Sequence, residues 1–193
     1  MNAIAEYFNE RADDWENNFN KPSPVQGAVA AIAAIGPESK VLDLGCGTGV
    51  MAPVYLELGV KRALALDLAP RMIEIAQGKY VGQPSLEFKC CDAYGFKTDE
   101  RFDAVVIYNA YPHFLDKQAL AKKVASLLVD GGRFVVAHSL GRTQMNEHHS
   151  NVPVHVTTCL RSVQAEAGEF EEFFHIDTRV DSPGFYCFAG TLK

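Results

Sequence analysis

Several features are missing from this sequence, and each absence removes a class of function. None of the five cysteines (Cys46, Cys90, Cys91, Cys159 and Cys187) belongs to a C-x-x-C pair. A disulfide scaffold, a zinc ribbon and a thioredoxin-type motif therefore have no support. No block of lysine and arginine occurs, and 18 basic residues face 24 acidic ones, for a formal net charge of −6. Nucleic-acid binders carry a basic patch or stripe, so no nucleic-acid partner is expected. The first residues lack a basic stretch followed by an apolar core, the mark of a secretory signal. The most apolar helical candidate, residues 25–35, is too short to span a bilayer. Repeats and low-complexity tracts are absent too. The expectation is a cytoplasmic protein with reduced thiols and no membrane partner.

What is present is an ordinary globular composition, 48% apolar and 22% charged over 193 residues, enough for one domain with a sizeable core. The stretch Val41-Leu42-Asp43-Leu44-Gly45-Cys46-Gly47-Thr48-Gly49-Val50 organises it. A short apolar run reads as a buried parallel strand. It gives way to glycine at every second position and then to a helix. Glycine admits turn conformations closed to other residues, and the free N–H groups of a helix start face the same space. That is a cofactor loop at the carboxyl end of a first strand, where open α/β sheets bind ligands. The spacing is G-x-G-x-G, not the G-x-G-x-x-G of dinucleotide binders.

Strand and helix patterns then alternate. Residues 4–20 read as a helix bearing Tyr7, Phe8, Trp15 and Phe19. Ser23-Pro24 starts the next, as N-cap and first helical residue, and Gly36-Pro37 stops it. Residues 51–58 form a helix closed by Gly59. Ala63–Asp67 is a second strand ending in an acid, placed to accept the ribose hydroxyls of an adenosine, and Pro70 opens the following helix, with Met72 on its inward face. Leu86–Cys90 is a third strand, followed by Cys91-Asp92-Ala93. Cys90 and Cys91 point to opposite faces, so they cannot readily chelate one ion, and buried structural thiols are expected. A fourth strand, opening Phe102-Asp103-Ala104-Val105, runs into Asn109-Ala110-Tyr111-Pro112-His113-Phe114. A helix over 116–128 and a strand over 134–137 follow, then a short helix over 161–168. Residues 173–180 and 185–192 flank Ser182-Pro183-Gly184 as a hairpin. Residues 152–160 fit no element.

The stretch His138 to His149 is polar at the sheet edge that carries the glycine loop. If 139–149 is helical, His138, Arg142, Asn146 and His149 share one face. Three readings stand: a substrate pocket in which Arg142 suits an anion, a solvated surface, or a metal site built from histidines. No metal ligand is assigned. His113 reads as a general base or as a solvent-facing helix-entry residue.

The string D-L-G-C-G-T-G resembles motif I of the class I S-adenosylmethionine-dependent methyltransferases, small-molecule type. The downstream F-D-A-V, the L-L-x-x-G-G-R-F-V-V and the opening Tyr7-Phe8-Asn9-Glu10-Arg11-Ala12 with Trp15 strengthen the likeness. The Asn-Ala-Tyr-Pro segment matches motif IV only in part, which argues against a nucleobase or protein-amide acceptor. The resemblance implies an α/β fold with a seven-stranded, mostly parallel sheet of order 3-2-1-4-5-7-6, strand 7 antiparallel, and helices on both faces. Residues 1–193 would be one domain, with 1–36 an N-terminal helical lid and 139–160 a substrate-side insertion. It implies methyl transfer from S-adenosylmethionine to a small molecule by a monomer or homodimer. The cofactor set is Asp43, Gly45, Cys46, Gly47, Gly49, Asp67, Leu68, Met72, Asp92, Ala93 and Asn109. Tyr7, Trp15, Arg142, Asn146 and His149 would meet the acceptor, and His113, Tyr111 and His138 would act in catalysis. A non-catalytic S-adenosylmethionine or S-adenosylhomocysteine binder and an NAD(P)-dependent oxidoreductase remain the alternatives.

Overall fold

The computed structural model of the chain describes residues 2–18 and 23–193, so Phe19 lies outside the described residues. One sheet runs through it, built from β1 (Lys40–Leu44), β2 (Arg62–Asp67), β3 (Leu86–Cys90), β4 (Phe102–Tyr108), β5 (Leu128–His138), β6 (Phe174–Ser182) and β7 (Phe185–Leu192). The order is β3-β2-β1-β4-β5-β7-β6. The first five strands pair in parallel, and β7 is antiparallel to β5 and β6. The order and direction are those the resemblance implied. No described helix is long and apolar enough to cross a membrane.

The sheet is covered on both faces because alternate strand residues point to opposite sides. Leu42 and Leu44 of β1, Val105 and Ile107 of β4, and Phe134 and Val136 of β5 face one core, with α6 (Lys117–Leu127) and α8 (Val163–Gly168) laid over it. Val41, Ala104, Val106, Val135 and Ala137 face the other, under α3 (Pro24–Ile32) and α4 (Ala52–Glu57). Helix α5 (Pro70–Lys79) packs Ile73 and Ala76 beside Ala65 and Phe88. Four aromatic rings tie the antiparallel end to the parallel part. Phe134 stacks on Phe170 at 4.7 Å, meets Phe174 at 4.5 Å and lies edge-on to Phe188 at 5.9 Å.

Local chemistry shifts several boundaries. The helix expected over 4–20 is two helices, α1 (Ala3–Asn9) and α2 (Ala12–Asn18). The break comes at Arg11, whose backbone N–H donates to the Phe8 carbonyl while its guanidinium takes the Tyr7 carbonyl at 3.0 Å. Helix α3 stops before Gly36 because Ala34 adopts φ 55° and the Ile35 N–H donates back to the Ala30 carbonyl. This Schellman turn swings Ile35 into the core. Strand β5 begins at Leu128, with Leu128 opposite Phe102 and Arg133 opposite Ala104, so residues 129–132 bulge. The helix expected over 139–149 starts only at Arg142, as α7 (Arg142–His148). Gly141 is pressed against the hairpin turn: its N–H donates to the Pro183 carbonyl, and a Cβ there would sit 2.2 Å from the Ser182 carbonyl oxygen. Cys90 is exposed and Cys91 half-buried, which corrects the expectation of buried thiols, because β3 is an edge strand and Cys90 closes it. Residues 152–160 form no helix or strand.

The aromatic junction yields a stability test. Phe134 is fully buried, so Phe134→Ala is expected to lower unfolding stability by about 3–5 kcal/mol. Val81→Ala, at a residue 79% exposed, is expected to change it by less than about 0.5 kcal/mol. Urea titration followed by circular dichroism measures both.

Candidate active site

The carboxyl ends of β1, β2 and β4 open onto a cavity of about 270 Å³. The loop after β1 is tied to the end of β2: the Gly45 and Cys46 N–H groups both donate to the Leu66 carbonyl, at 2.8 and 3.0 Å. Gly45 has φ 75°, and a Cβ there would lie 2.5 Å from the Ala110 Cβ, so no side chain fits. Gly47 has φ 54°, and a Cβ there would meet only the Trp15 indole nitrogen, at 4.0 Å. Its backbone therefore stays open to the cavity. The Gly47 N–H donates to Asp67 Oδ2 at 2.8 Å, and Ala69 N–H to Asp67 Oδ1 at 2.9 Å. Burial raises the Asp67 carboxyl above its ordinary value, while the N–H groups of Ala69, Gly47 and Leu68 pull it back.

Most residues of the expected cofactor set meet in this space. Gly45, Cys46, Gly47, Asp67 and Leu68 line one side. Met72, Asp92, Ala93 and Asn109 line the rest. Asp92 Oδ1 accepts the Tyr94 N–H at 3.0 Å, which shapes the turn after β3. Asn109 holds φ 55°, a conformation asparagine tolerates, and its Oδ1 accepts the Ser139 N–H at 2.9 Å, joining the ends of β4 and β5. Two members stand apart. Asp43 is buried beneath the loop and accepts the Tyr55 hydroxyl at 3.2 Å. Burial pushes its carboxyl up to about 7, against the Tyr55 bond and with help from the Asp67 charge. Gly49 packs on the rings of Tyr80 and Phe88, away from the cavity.

The other end of the cavity is a histidine wall. His113, in a short 3-10 turn at Tyr111–His113, lines it together with His148 and His149. His113 Nδ1 lies 2.9 Å from the Val156 carbonyl. A carbonyl only accepts, so Nδ1 carries the proton. Phe8 meets the imidazole edge-on at 4.7 Å and touches Trp15 at 5.7 Å. Burial holds His113 down at about 4, against the Val156 bond, with His149 and Lys117 adding to the depression. The ring is therefore neutral at pH 7.

The remaining expected residues sit elsewhere, each for a visible reason. Tyr111 is buried and donates to Glu166 Oε2 at 2.9 Å. His138, the last residue of β5, is fully buried, and neither ring nitrogen has a hydrogen-bond partner among the described residues. Because His138 belongs to the strand and α7 starts at Arg142, the expected four-residue helix face does not form. Arg142 turns away to Asp181, 2.9 Å from its Oδ2. Asn146 exchanges two hydrogen bonds with the Leu160 backbone, at 3.0 and 2.8 Å. Tyr7 stacks under the Arg11 guanidinium, 3.7 Å away, outside the cavity lining. Among the described residues no cluster of three or more His, Cys, Asp or Glu is arranged to hold a metal ion. Sequence reasoning passed over Tyr94, Phe114, Ser139 and Met145, which also line the cavity. Only their closeness to the motifs could have marked them.

These histidines set an acid limit on the fold. The unfolded chain takes up a proton at each imidazole near pH 6.5; the folded chain does so only at about 4 for His113 and His149 and about 3 for His138, burial being the main cause in each. Their contribution is complete above pH 6.5 and is lost as pH falls toward 4, since the unfolded state then binds more protons. Asp43 and Asp67, with raised carboxyls, work in the opposite direction. His138→Leu is therefore expected to lose less stability than the parent between pH 7 and pH 5, by about one proton's worth of slope. Thermal unfolding across that range measures the difference.

Comparison with known proteins agrees with the fold. Residues 41–132 match the family model described as a methyltransferase domain. The ubiquinone biosynthesis O-methyltransferase of Xanthomonas campestris pv. campestris is 27% identical over 135 residues, 68% of this chain and 56% of the relative. The malonyl-[acyl-carrier protein] O-methyltransferase of Acetivibrio thermocellus is 31% identical over 111 residues, 56% of this chain and 38% of the relative. The chain thus spans about half the length, or less, of these relatives. Among solved structures, the N-methyltransferase NodS from Bradyrhizobium japonicum with S-adenosyl-L-homocysteine superposes with a TM-score of 0.77 at 17% identity, covering 100% of this chain and 99% of that one. The Haemonchus contortus phosphoethanolamine N-methyltransferase 2 with S-adenosyl-L-methionine gives 0.79 at 15% identity, covering 100% and 60%. The motif-bearing residues 41–132 thus match a methyltransferase domain, and the chain has the seven-stranded fold of the class I S-adenosylmethionine-dependent methyltransferases.

Proposed function

We propose that this chain is an enzyme that transfers a methyl group from S-adenosylmethionine to the hydroxyl or thiol of a small, largely apolar acceptor. In this reading residues 1–193 are one catalytic domain, α1 and Trp15 of α2 close over the cavity, α3 of the expected 1–36 lid packs on the sheet instead, and 139–160 build the acceptor side. The observation that carries it is His113: a neutral imidazole, proton fixed on Nδ1, in the same cavity as the glycine loop and Asp67. Its Nε2 is thereby the basic nitrogen.

The residues fit the cofactor. Gly47, at φ 54° and without a side chain, leaves its backbone open to the cavity. The Asp67 carboxylate takes backbone N–H groups on both oxygens and keeps lone-pair capacity for a ribose hydroxyl. Trp15 stands over the loop, and Asp92, on the cavity wall, would receive the adenine. When bound, S-adenosylmethionine supplies a methyl group already made electrophilic by its sulfonium. The protein's task is to align the acceptor and exclude water. His113 Nε2 would accept the proton that the acceptor hydroxyl or thiol loses as it takes the methyl group and the methyl–sulfonium bond breaks, the electron pair staying on the sulfur of S-adenosylhomocysteine. No lysine or arginine among the described residues lines the cavity, and Phe8, Phe114, Leu140 and Met145 do. That lining favours an uncharged acceptor over the anion that Arg142 was expected to hold. The O-methyltransferase names of the sequence relatives support an oxygen acceptor.

Calorimetric titration with S-adenosylhomocysteine, with NADH as control, tests the cofactor. Saturable binding of the first alone is expected. No binding, or a preference for NADH, overturns the reading. Asp67→Ala is expected to weaken that binding about tenfold or more, since it strips charge-assisted bonds from the loop. On a panel of neutral phenols, alcohols and thiols, His113→Ala is expected to cut turnover by about 100-fold or more at unchanged cofactor affinity. Full activity in that variant removes the base.

A further inference from the structure

The turn that carries His113 is held from one side by an irregular stretch and the first turn of α8. Residue by residue, Tyr111-Pro112-His113 meets the segment from Val156 to Glu166. The Tyr111 hydroxyl donates to Glu166 Oε2 at 2.9 Å. The Pro112 carbonyl accepts both the Thr158 N–H at 2.9 Å and the Thr158 hydroxyl at 3.1 Å. His113 Nδ1 donates to the Val156 carbonyl at 2.9 Å. The side facing α6 is tied as well, by Lys117 Nζ, which donates to the Tyr111 carbonyl at 2.6 Å and lies 3.8 Å over its ring.

The segment itself is anchored. Glu166 is 1% exposed and takes three bonds from Arg161: its backbone N–H at 3.1 Å, Nε at 3.1 Å and Nη2 at 3.0 Å. Tyr186 donates to the Arg161 carbonyl at 3.3 Å. Asn146 of α7 pairs with the Leu160 backbone at both its N–H and its carbonyl. A buried carboxylate is costly unless fully partnered, and this one is satisfied by the residues on either side of the clamp.

We propose that the segment Val156–Glu166 is a positioning clamp for His113, fixing the tautomer with Nδ1 protonated and Nε2 bare, and that Tyr111, Thr158 and Glu166 are its positioning residues. The stretch has no chemistry of its own. It delivers one carbonyl to one ring nitrogen, and two side-chain ties with one backbone hydrogen bond keep that carbonyl in register. This role rests on the reading of His113 as the base, yet it is observable without turnover.

The test is 15N NMR of the histidine imidazoles at pH 7.5 in the full chain, with His113→Gln to assign the signal. The parent is expected to show His113 protonated at Nδ1. Tyr111→Phe cuts the tie to Glu166 and Thr158→Val one tie to Pro112, each without loss of bulk. The single variants are expected to shift the signal toward the Nε2-protonated or averaged form, the double variant further, with cooperative thermal unfolding retained and Thr158→Ser restoring the parent signal. An Nε2-protonated ring in the parent, or folded single variants that keep the parent signal, overturns the clamp. Titration with S-adenosylhomocysteine on the same samples separates the two claims. Lost cofactor binding in the parent with an intact tautomer fails the methyltransferase reading alone, and intact binding with an unmoved signal fails the clamp alone.

Discussion

The junction between Leu66-Asp67 and the loop after β1 is the constraint on which the site depends. Two N–H groups of the loop reach the Leu66 carbonyl, and a third reaches the Asp67 carboxylate. Loop backbone has few partners of its own, and an unpaired buried N–H is costly. Here the neighbouring strand supplies them. The register of β1 on β2, with Leu44 beside Leu66, is what brings donor and acceptor within reach. A one-residue slip would exchange the faces of every side chain on β1, sending Asp43 toward the leucine-rich core and Leu44 toward Tyr55.

From that junction the site spreads along a single edge of the sheet. Parallel strands end together at their carboxyl ends, so Asp67, the turn after β3, Asn109 and Ser139 are neighbours although far apart in sequence. Asn109 performs for β4 and β5 the task that Asp67 performs for β1 and β2, linking two strand ends through one side chain. The antiparallel β7 then closes the core with Tyr186 and Phe188, and the hairpin turn beyond it limits where α7 begins.

Much of this was legible because short-range signals and long-range packing agree. The glycine triplet, the acid ending β2 and the caps at Ser23 and Asp116 each act locally, and each is found where the residues put it. The parts that were not legible depend on distant contacts. Helical spacing put His138, Arg142, Asn146 and His149 on one face, but nothing within 139–149 reveals that Gly141 abuts Ser182 and Pro183. The cation of Arg142 looked available because its partner, Asp181, lies in another element. Val156 acts through a backbone carbonyl, which every residue has, so no residue type announces it. Cys90 was expected inside because cysteine is usually buried, whereas its place on an edge strand exposes it.

Phe8 touches both Trp15, which stands over the glycine loop, and the ring of His113. One side chain thus borders the two halves of the cavity. Any ligand that moves Phe8 from one half alters the free energy of occupying the other, and linkage requires the effect to be equal in both directions. The order in which the two compounds enter would then be a matter of kinetics alone, while their joint occupancy is a single thermodynamic quantity, governed in part by a phenyl ring that reacts with neither.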